Sequence, residues 1–92
     1  MFEIGLGVAK DSAAAARWFR KAAEQGHAHG QGNLGVMFMN GRGVARDDVE
    51  AVRWLRKAAE QEDVNAQAIL GIMFRDGRGV ARDDVEIGRA HV

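Results

Sequence analysis

The sequence predicts an all-α fold, a stacked array of antiparallel helix pairs that repeats every 36 residues. Residues 34–50 return as residues 70–86, and three of these 17 positions differ: Val36/Ile72, Met39/Arg75 and Asn40/Asp76. The same offset maps residues 17–25 onto residues 53–61 with one change in nine. A fixed period of this length is typical of helical arrays, in which neighbouring units cover each other's apolar faces.

The composition excludes several classes of function. The chain of 92 residues carries 13 basic and 13 acidic side chains, so its charge does not favour nucleic acid or an anionic membrane surface. It has no cysteine, which excludes disulfides and thiolate metal sites. No apolar run approaches the roughly 20 residues of a membrane span.

The beginning of the chain aligns with the end of a repeat. Residues 5–8 read Gly-Leu-Gly-Val and fall on residues 41–44, which read Gly-Arg-Gly-Val. The alignment predicts a turn at residues 5–8, preceded by the last residues of a helix whose body is missing. One hypothesis that follows is that Met1 is an internal methionine of a longer protein.

The first complete helix is predicted over residues 11–25. Asp11 or Ser12 is expected to cap its start, and Gly26 to end it. Its apolar positions follow the helical spacing i, i+3, i+4, i+7, i+8 and comprise Ala15, Trp18, Phe19, Ala22 and Ala23. Trp18 and its repeat counterpart Trp54 are therefore predicted to pack in the core.

A second helix is predicted over residues 28–39. Its inner side comprises Ala28, Gln31, Leu34, Gly35 and Phe38. Gly30 and Gly32 each weaken a helix by about 1 kcal/mol relative to alanine, so we expect this helix to fray. Gly35 and Gly71 recur directly after a leucine, which predicts close approach of a neighbouring helix at both.

The remaining elements repeat this pattern. Gly41 and Gly43 predict a turn, and Asp47, with Glu50 three residues later, predicts a capped helix to about residue 61. Its apolar face comprises Ala51, Trp54, Leu55 and Ala58. Asp63 is expected to cap a helix over residues 64–75. A second turn at residues 77–80 and another helix from Asp83 are predicted to follow.

The repeat stops fitting after Glu86. Residues 87–92 can be encoded by ATC GGA AGA GCA CAC GTC, which matches a common sequencing-library adapter. We therefore interpret these six residues as a non-native tail and the repeat array as residues 1–86.

The repeated motifs resemble the Sel-one-like repeat (SLR) family, a relative of the tetratricopeptide repeats. The resemblance covers residues 1–86, about two and a half repeats truncated at both ends. It implies a right-handed α-solenoid that binds other proteins. Family members are often bacterial and exported, so a periplasmic or secreted location would require a leader before Met1. The chain departs from the family pattern at Gly30, Gly32 and Glu62.

The resemblance also implies that the first helix of each pair lines a concave groove. Transferred to this sequence, the partner-binding positions are His29, Gly32, Val36, Met39, Asn40, Asn65, Ala68, Ile72, Arg75 and Asp76. The two repeats differ mainly at such positions, which favours a groove that sets specificity. Drift at exposed positions is the alternative explanation.

Other candidate sites have simpler interpretations. His27 and His29 diverge by about 200° on a helix, so they do not form a metal site. The pair Asp47 and Asp48 is interpreted as helix capping, and the Gly-x-Gly turns lack the following lysine of a phosphate loop. A basic row is interpreted as a solvated outer face, with an acidic partner as the alternative: Arg17, Arg20, Lys21, Arg53, Arg56 and Lys57. No catalytic residue, metal or cofactor is predicted.

The sequence thus predicts a protein–protein interaction scaffold that binds a protein or peptide in its groove. Two alternatives belong to other classes: a structural spacer within a larger repeat protein, and a hydrolase-like enzyme, which no residue pattern supports. Because the array has no polar capping helix, we also expect marginal stability or self-association through its open ends.

Overall fold

The computed structural model describes the backbone of residues 2–80 and the side chains of residues 11–80. This part of the chain forms four helices: α1 (Phe2–Glu24), α2 (Ala28–Asn40), α3 (Asp48–Glu60) and α4 (Val64–Asp76). Each helix packs against its neighbours in chain order. The all-α prediction is confirmed. The predicted helix from Asp83 and the tail at 87–92 lie outside the described residues.

The predicted caps of α3 and α4 are confirmed. The Asp47 carboxylate accepts a hydrogen bond from the Glu50 amide at 3.1 Å, and the Asp63 carboxylate accepts one from the Ala66 amide at 2.9 Å. Each bond satisfies one of the amides that a helix start leaves unpaired. Together the caps fix where both helices begin.

The predicted turn at residues 5–8 is wrong. Helix α1 runs without a break from Phe2, so Asp11 and Ser12 lie in its interior and not at its start. The turn that follows α2 packs tightly on α1, the helix before α2. A Cβ on Gly43 of this turn would collide with the Ser12 carbonyl. Within the described chain no helix precedes α1, so a turn at residues 5–8 has nothing equivalent to pack against.

The core lies mainly between α2 and α3. Leu34 of α2 and Leu55 of α3 are fully buried. The close approach predicted at Gly35 is confirmed, because a Cβ there would lie 2.7 Å from Leu55 Cγ and 3.1 Å from the Ala51 carbonyl oxygen. A larger residue at position 35 would therefore separate the two helices.

The corresponding prediction for Gly71 is not tested, because the helix expected to approach it, from Asp83, lies outside the described residues. A Cβ at Gly71 would meet no described atom within 4 Å. Gly35 is covered by α3, the next helix along the chain, whereas no described helix follows α4. The two glycines thus occupy equivalent repeat positions in different surroundings.

The two tryptophans also differ. Trp54 has 6% of its surface exposed, which confirms its predicted place in the core. Trp18 is 68% exposed, so its predicted burial is wrong. Helix α3, which carries Trp54, packs between α2 and α4, whereas α1 has no described helix on its outer side. Repeat equivalence predicts burial only where the neighbouring repeat is present.

Gly30 has a packing role that its helix propensity does not reveal. It is buried, and a Cβ there would lie 2.7 Å from the Ala22 Cβ of α1. The glycine therefore allows α1 and α2 to approach closely, although it weakens α2 locally. The expected fraying of this helix stays a prediction.

A chain of side-chain amides connects the repeats. Gln31 Nε2 donates to the Ala23 carbonyl at 3.2 Å, and Gln67, one repeat later, donates to the Ala59 carbonyl at the same distance. Gln61 Nε2 lies 2.9 Å from Gln31 Oε1 and donates to it. Because Gln31 is buried, this bond satisfies an acceptor that water does not reach.

Candidate functional site

A small cleft lies between α2, α3 and the start of α4. Its volume is about 60 Å³. The lining residues are His29, Gly32, Asn33 and Val36 from α2, Leu55 from α3, and Asp63, Asn65, Ala66 and Ile69 around the start of α4. The α2 residues are spaced i, i+3, i+4 and i+7, so one face of that helix forms a whole wall. We call this site the cleft.

A larger cavity of about 360 Å³ lies between α1 and α2. Its lining residues are Asp11, Ser12, Ala15 and Phe19 from α1, Asn33, Val36, Met37 and Asn40 from α2, and Arg42. We call it the end cavity. It shares Asn33 and Val36 with the cleft, so the two form one continuous surface along α2.

Two lining positions of the sites are equivalent one repeat apart. Phe19 of the end cavity corresponds to Leu55 of the cleft, and Asn33 corresponds to Ile69. In the cleft, α2 supplies the wall on the side of the preceding repeat. No described helix supplies the corresponding wall in the end cavity.

Five of the ten residues predicted for the groove line these two sites. His29, Gly32, Val36 and Asn65 meet in the cleft, although they come from helices of different repeats. Asn40 joins Val36 in the end cavity. The cleft is therefore the place where the predicted positions come together.

The other five predicted residues line neither site. Met39 is half-buried and packs against the core, whereas Ala68 and Ile72 are exposed on α4. Arg75 and Asp76 form an exposed ion pair with each other, with Nε and Oδ1 3.1 Å apart. These residues lie outside the cleft.

Sequence reasoning missed Asn33, Met37 and Arg42, and also Ile69 in the cleft. Asn33 follows His29 by four residues and precedes Val36 by three, so helical spacing alone places it on the same face. Arg42 lies in the turn after α2, and its contribution depends on how that turn folds back toward α1. Helical spacing could therefore have predicted Asn33, but it could not have predicted Arg42.

An ionic cluster holds the second turn against α3. Arg78 Nη2 lies 3.0 Å from Asp48 Oδ1 and also donates to the Met39 carbonyl at 3.3 Å. Arg46 Nη2 lies 3.1 Å from Asp48 Oδ2. Hydrogen bonds from Arg78, and then from Arg46, hold the pKa of the Asp48 carboxyl below its ordinary value. In the first repeat, Arg42 corresponds to Arg78, and Ser12 replaces Asp48.

Several side chains of the basic row lie over aromatic rings. The Arg20 guanidinium lies 5.6 Å from the Phe38 ring centroid, and Arg56 lies 5.5 Å from that of Phe74, one repeat later. Lys57 similarly lies over Trp54 at 5.8 Å. These are distances of cation–π contacts, which cover the rings without removing the charge from solvent.

The described residues show little that suggests chemistry on a substrate. Among residues 11–80, no three histidine, aspartate or glutamate side chains come together as a metal site would require. His27 precedes α2 without capping it through its side chain. No helix of the described chain is long and apolar enough to cross a membrane.

Comparison with known proteins agrees with this architecture. The family model described as Sel1 repeat matches residues 1–27, 28–63 and 64–90. A crystal structure of a Sel1 repeat protein from Oxalobacter formigenes superposes with a TM-score of 0.76 at 44% identity, covering 86% of this chain and 32% of that one. No curated protein matches the chain.

A second similar structure is c5321, a protective antigen present in uropathogenic Escherichia coli strains that displays an SLR fold. Its TM-score is 0.74 at 44% identity, covering 76% of this chain and 15% of that one. The chain thus spans less than a third of either relative. From the repeat matches and these folds, the chain belongs to the Sel1 repeat family, whose members are generally protein-interaction scaffolds.

Proposed function

We propose that the chain binds an extended peptide segment of a partner protein across the cleft between α2 and α4. The observation that carries this proposal is the convergence of His29, Gly32, Val36 and Asn65 on one site. They were predicted from their repeat positions, and they come from two helices. A segment lying across both helices would contact consecutive repeats at once, as binding in a repeat array requires.

The chemistry of the cleft suits a peptide. Val36 and Ile69 offer apolar contacts, while the side-chain amides of Asn33 and Asn65 can each donate to and accept from a peptide backbone. Ile72 is 48% exposed and extends the apolar surface along α4. Apolar surface combined with a few polar groups that orient the ligand is the usual lining of a specific binding site.

The test is selection of a displayed random-peptide library on the immobilised chain, followed by measurement of the dissociation constants of the recovered peptides. Val36→Glu should weaken binding at least about tenfold, because it places a charge in the apolar wall of the cleft. Val64→Glu is the matched control. Val64 is 74% exposed and lines neither site, so binding should be unchanged.

Two further results would decide the matter. Because Val36 is half-buried, its replacement could disturb folding, so the helix content of Val36→Glu is checked by circular dichroism. Asn65 is exposed, and Asn65→Leu serves as a second variant of the cleft. Peptides that bind both cleft variants as tightly as the original chain would contradict the proposal. Recovery of no peptide would favour a structural spacer.

A further inference from the structure

One carboxylate oxygen in the cleft has no partner in the described chain. Asp63 uses its other oxygen, Oδ1, to cap α4, where it accepts a hydrogen bond from the Ala66 amide at 2.9 Å. Its Oδ2 makes no hydrogen bond or ion pair within residues 11–80. Because an ionised carboxylate accepts at both oxygens, Oδ2 is left for a donor that enters the cleft.

Gly32 keeps the space beside this oxygen open. A Cβ at Gly32 would lie 4.0 Å from Asp63 Oδ2 and 3.8 Å from the Ala58 Cβ, which are ordinary contact distances. Packing therefore does not require a glycine here, in contrast to Gly30 and Gly35, where a Cβ would collide with a neighbouring helix. The missing side chain weakens α2 and gives a ligand access to Oδ2.

The charge of the cleft is negative. Asp63 is the only acidic residue among those that line it, and no lysine or arginine lines it. The start of α4 contributes a positive partial charge of about half an elementary charge, which is smaller than the full charge of the carboxylate. A ligand group that carries a positive charge therefore fits this site.

The polar groups of the cleft suit an ammonium better than a guanidinium. Arginine binds a carboxylate best through both of its oxygens, but the cap of α4 already uses Oδ1 of Asp63. Lysine ends in a compact ammonium with three donors. Asn33 and Asn65 supply two more side-chain oxygens in the cleft, and neither amide makes a hydrogen bond within the described residues.

The size and the walls of the cleft also suit lysine. The volume of about 60 Å³ equals the share of about two liquid water molecules, so it admits the end of a single side chain. Val36 and Ile69 line the same cleft and offer apolar surface. The methylene stem of a lysine packs on such surface while its charged end reaches a polar partner.

We propose that the peptide segment bound across the cleft places a lysine side chain in it, with the ammonium on Asp63 Oδ2. The stem lies along Val36 and Ile69, and Oδ1 keeps the cap of α4. This inference rests on the proposed function and names the residue that the partner segment supplies.

The test uses three displayed libraries of random peptides that differ only in a fixed central residue: lysine, arginine or glutamine. The immobilised chain should enrich binders from the lysine library. Replacing that lysine by glutamine in a recovered peptide should raise the dissociation constant at least about tenfold, because the carboxylate then loses its charged partner. Added salt should weaken the lysine peptides more than their glutamine counterparts.

Asp63→Asn separates the charge from the fold. Asparagine caps a helix about as well as aspartate, so the start of α4 is kept while the charge is removed. Lysine peptides should bind this variant at least about tenfold more weakly, and their glutamine counterparts should bind both chains equally. Asp47→Asn is the matched control. Asp47 makes the same cap at α3 and lines neither site, so lysine peptides should bind this variant as they bind the original chain.

Gly32→Leu is a second variant, which blocks the cleft without removing the charge. Leucine is a better helix former than glycine, so the melting temperature should not fall. Its side chain occupies the space beside Asp63 Oδ2, so lysine peptides should bind at least about tenfold more weakly.

Several outcomes would overturn the inference. Glutamine or arginine peptides could bind as tightly as the lysine peptides, or lysine peptides could bind Asp63→Asn as tightly as the original chain. If Val36→Glu abolishes binding and Asp63→Asn leaves it unchanged, peptide binding in the cleft stands and the lysine preference falls. If none of the three libraries yields a binder, both proposals fall.

Discussion

At the scale of single residues, Glu62 shows how the fold imposes a conformation against local preference. It has a φ of 69°, and it is the only non-glycine residue with a positive φ in the described chain. Gly26, its counterpart one repeat earlier, has a φ of 90°. The sequence identified Glu62 as a departure from the family's glycine. The structure keeps the same turn there and places glutamate in a strained region.

Replacing Glu62 by glycine should therefore stabilise the protein. We expect the free energy of unfolding to rise by about 1 kcal/mol, because the left-handed conformation costs glycine little. Urea denaturation followed by circular dichroism measures the change. Glu60→Gly is the control: it lies in α3 and should be destabilising. An unchanged or reduced stability of Glu62→Gly would show that the turn holds no such strain.

At the scale of the elements, the ionic cluster around Asp48 joins the start of α3 to the second turn. Arg78 is the main cause of the lowered pKa of Asp48, and Arg46 is the second. A carboxyl whose pKa is lower in the folded than in the unfolded chain stabilises folding above its unfolded pKa. That contribution is lost as pH falls through the folded value.

The replacement Asp48→Asn should therefore have a pH-dependent effect. At pH 7 it should lower the free energy of unfolding, because Arg78 and Arg46 lose their ionised partner. The difference should shrink as pH falls below about 4, where the aspartate of the unfolded chain is protonated, and should vanish once the folded Asp48, whose pKa is lower, is protonated too. Urea denaturation at several pH values measures this. Asp76→Asn, which removes the exposed ion-pair partner of Arg75 and a weaker charge interaction with Arg78, should show a smaller effect. An equal loss from Asp48→Asn at low pH would exclude the ionised cluster as its cause.

At the scale of the whole molecule, the sequence predicted the helices well because the residues that cap each helix and form its apolar face lie within a single repeat. Asp47 and Asp63 begin their helices as predicted, and Trp54 is buried. The errors at Trp18 and residues 5–8 share one cause. Both predictions assumed a neighbouring repeat before α1, which the described chain does not contain.

The candidate site was less predictable than the helices. Repeat positions identified four residues that meet in the cleft. They did not reveal which of the other predicted residues would lie outside it. Met39 packs inward although its counterpart Arg75 is exposed. Arg42 was missed because its position depends on how a turn folds back on α1, which helical periodicity does not describe.

Burial also predicts the order in which the helices open. Five residues are buried on each of α2 and α3, but on α4 only Ala66 and Met73. Amides of α3 should therefore exchange hydrogen most slowly and those of α4 markedly faster, because local opening exposes less apolar surface there. Native-state hydrogen exchange of the monomer measures this. Exchange in α2 faster than in α4 would contradict this order and support the fraying that Gly30 and Gly32 predict.

The amide bond between Gln61 and Gln31 also limits how a repeat can change length. A helix turns by about 100° per residue. One residue inserted in α2 after Gln31, or in α3 before Gln61, would therefore rotate one of the two amide side chains away from the other. The buried Gln31 oxygen would then lose its donor. Insertions at residues 42–46 lie outside both helices and leave the amides in phase. Arrays that keep this glutamine pair are therefore expected to vary in length at that loop and to conserve the length of their helices.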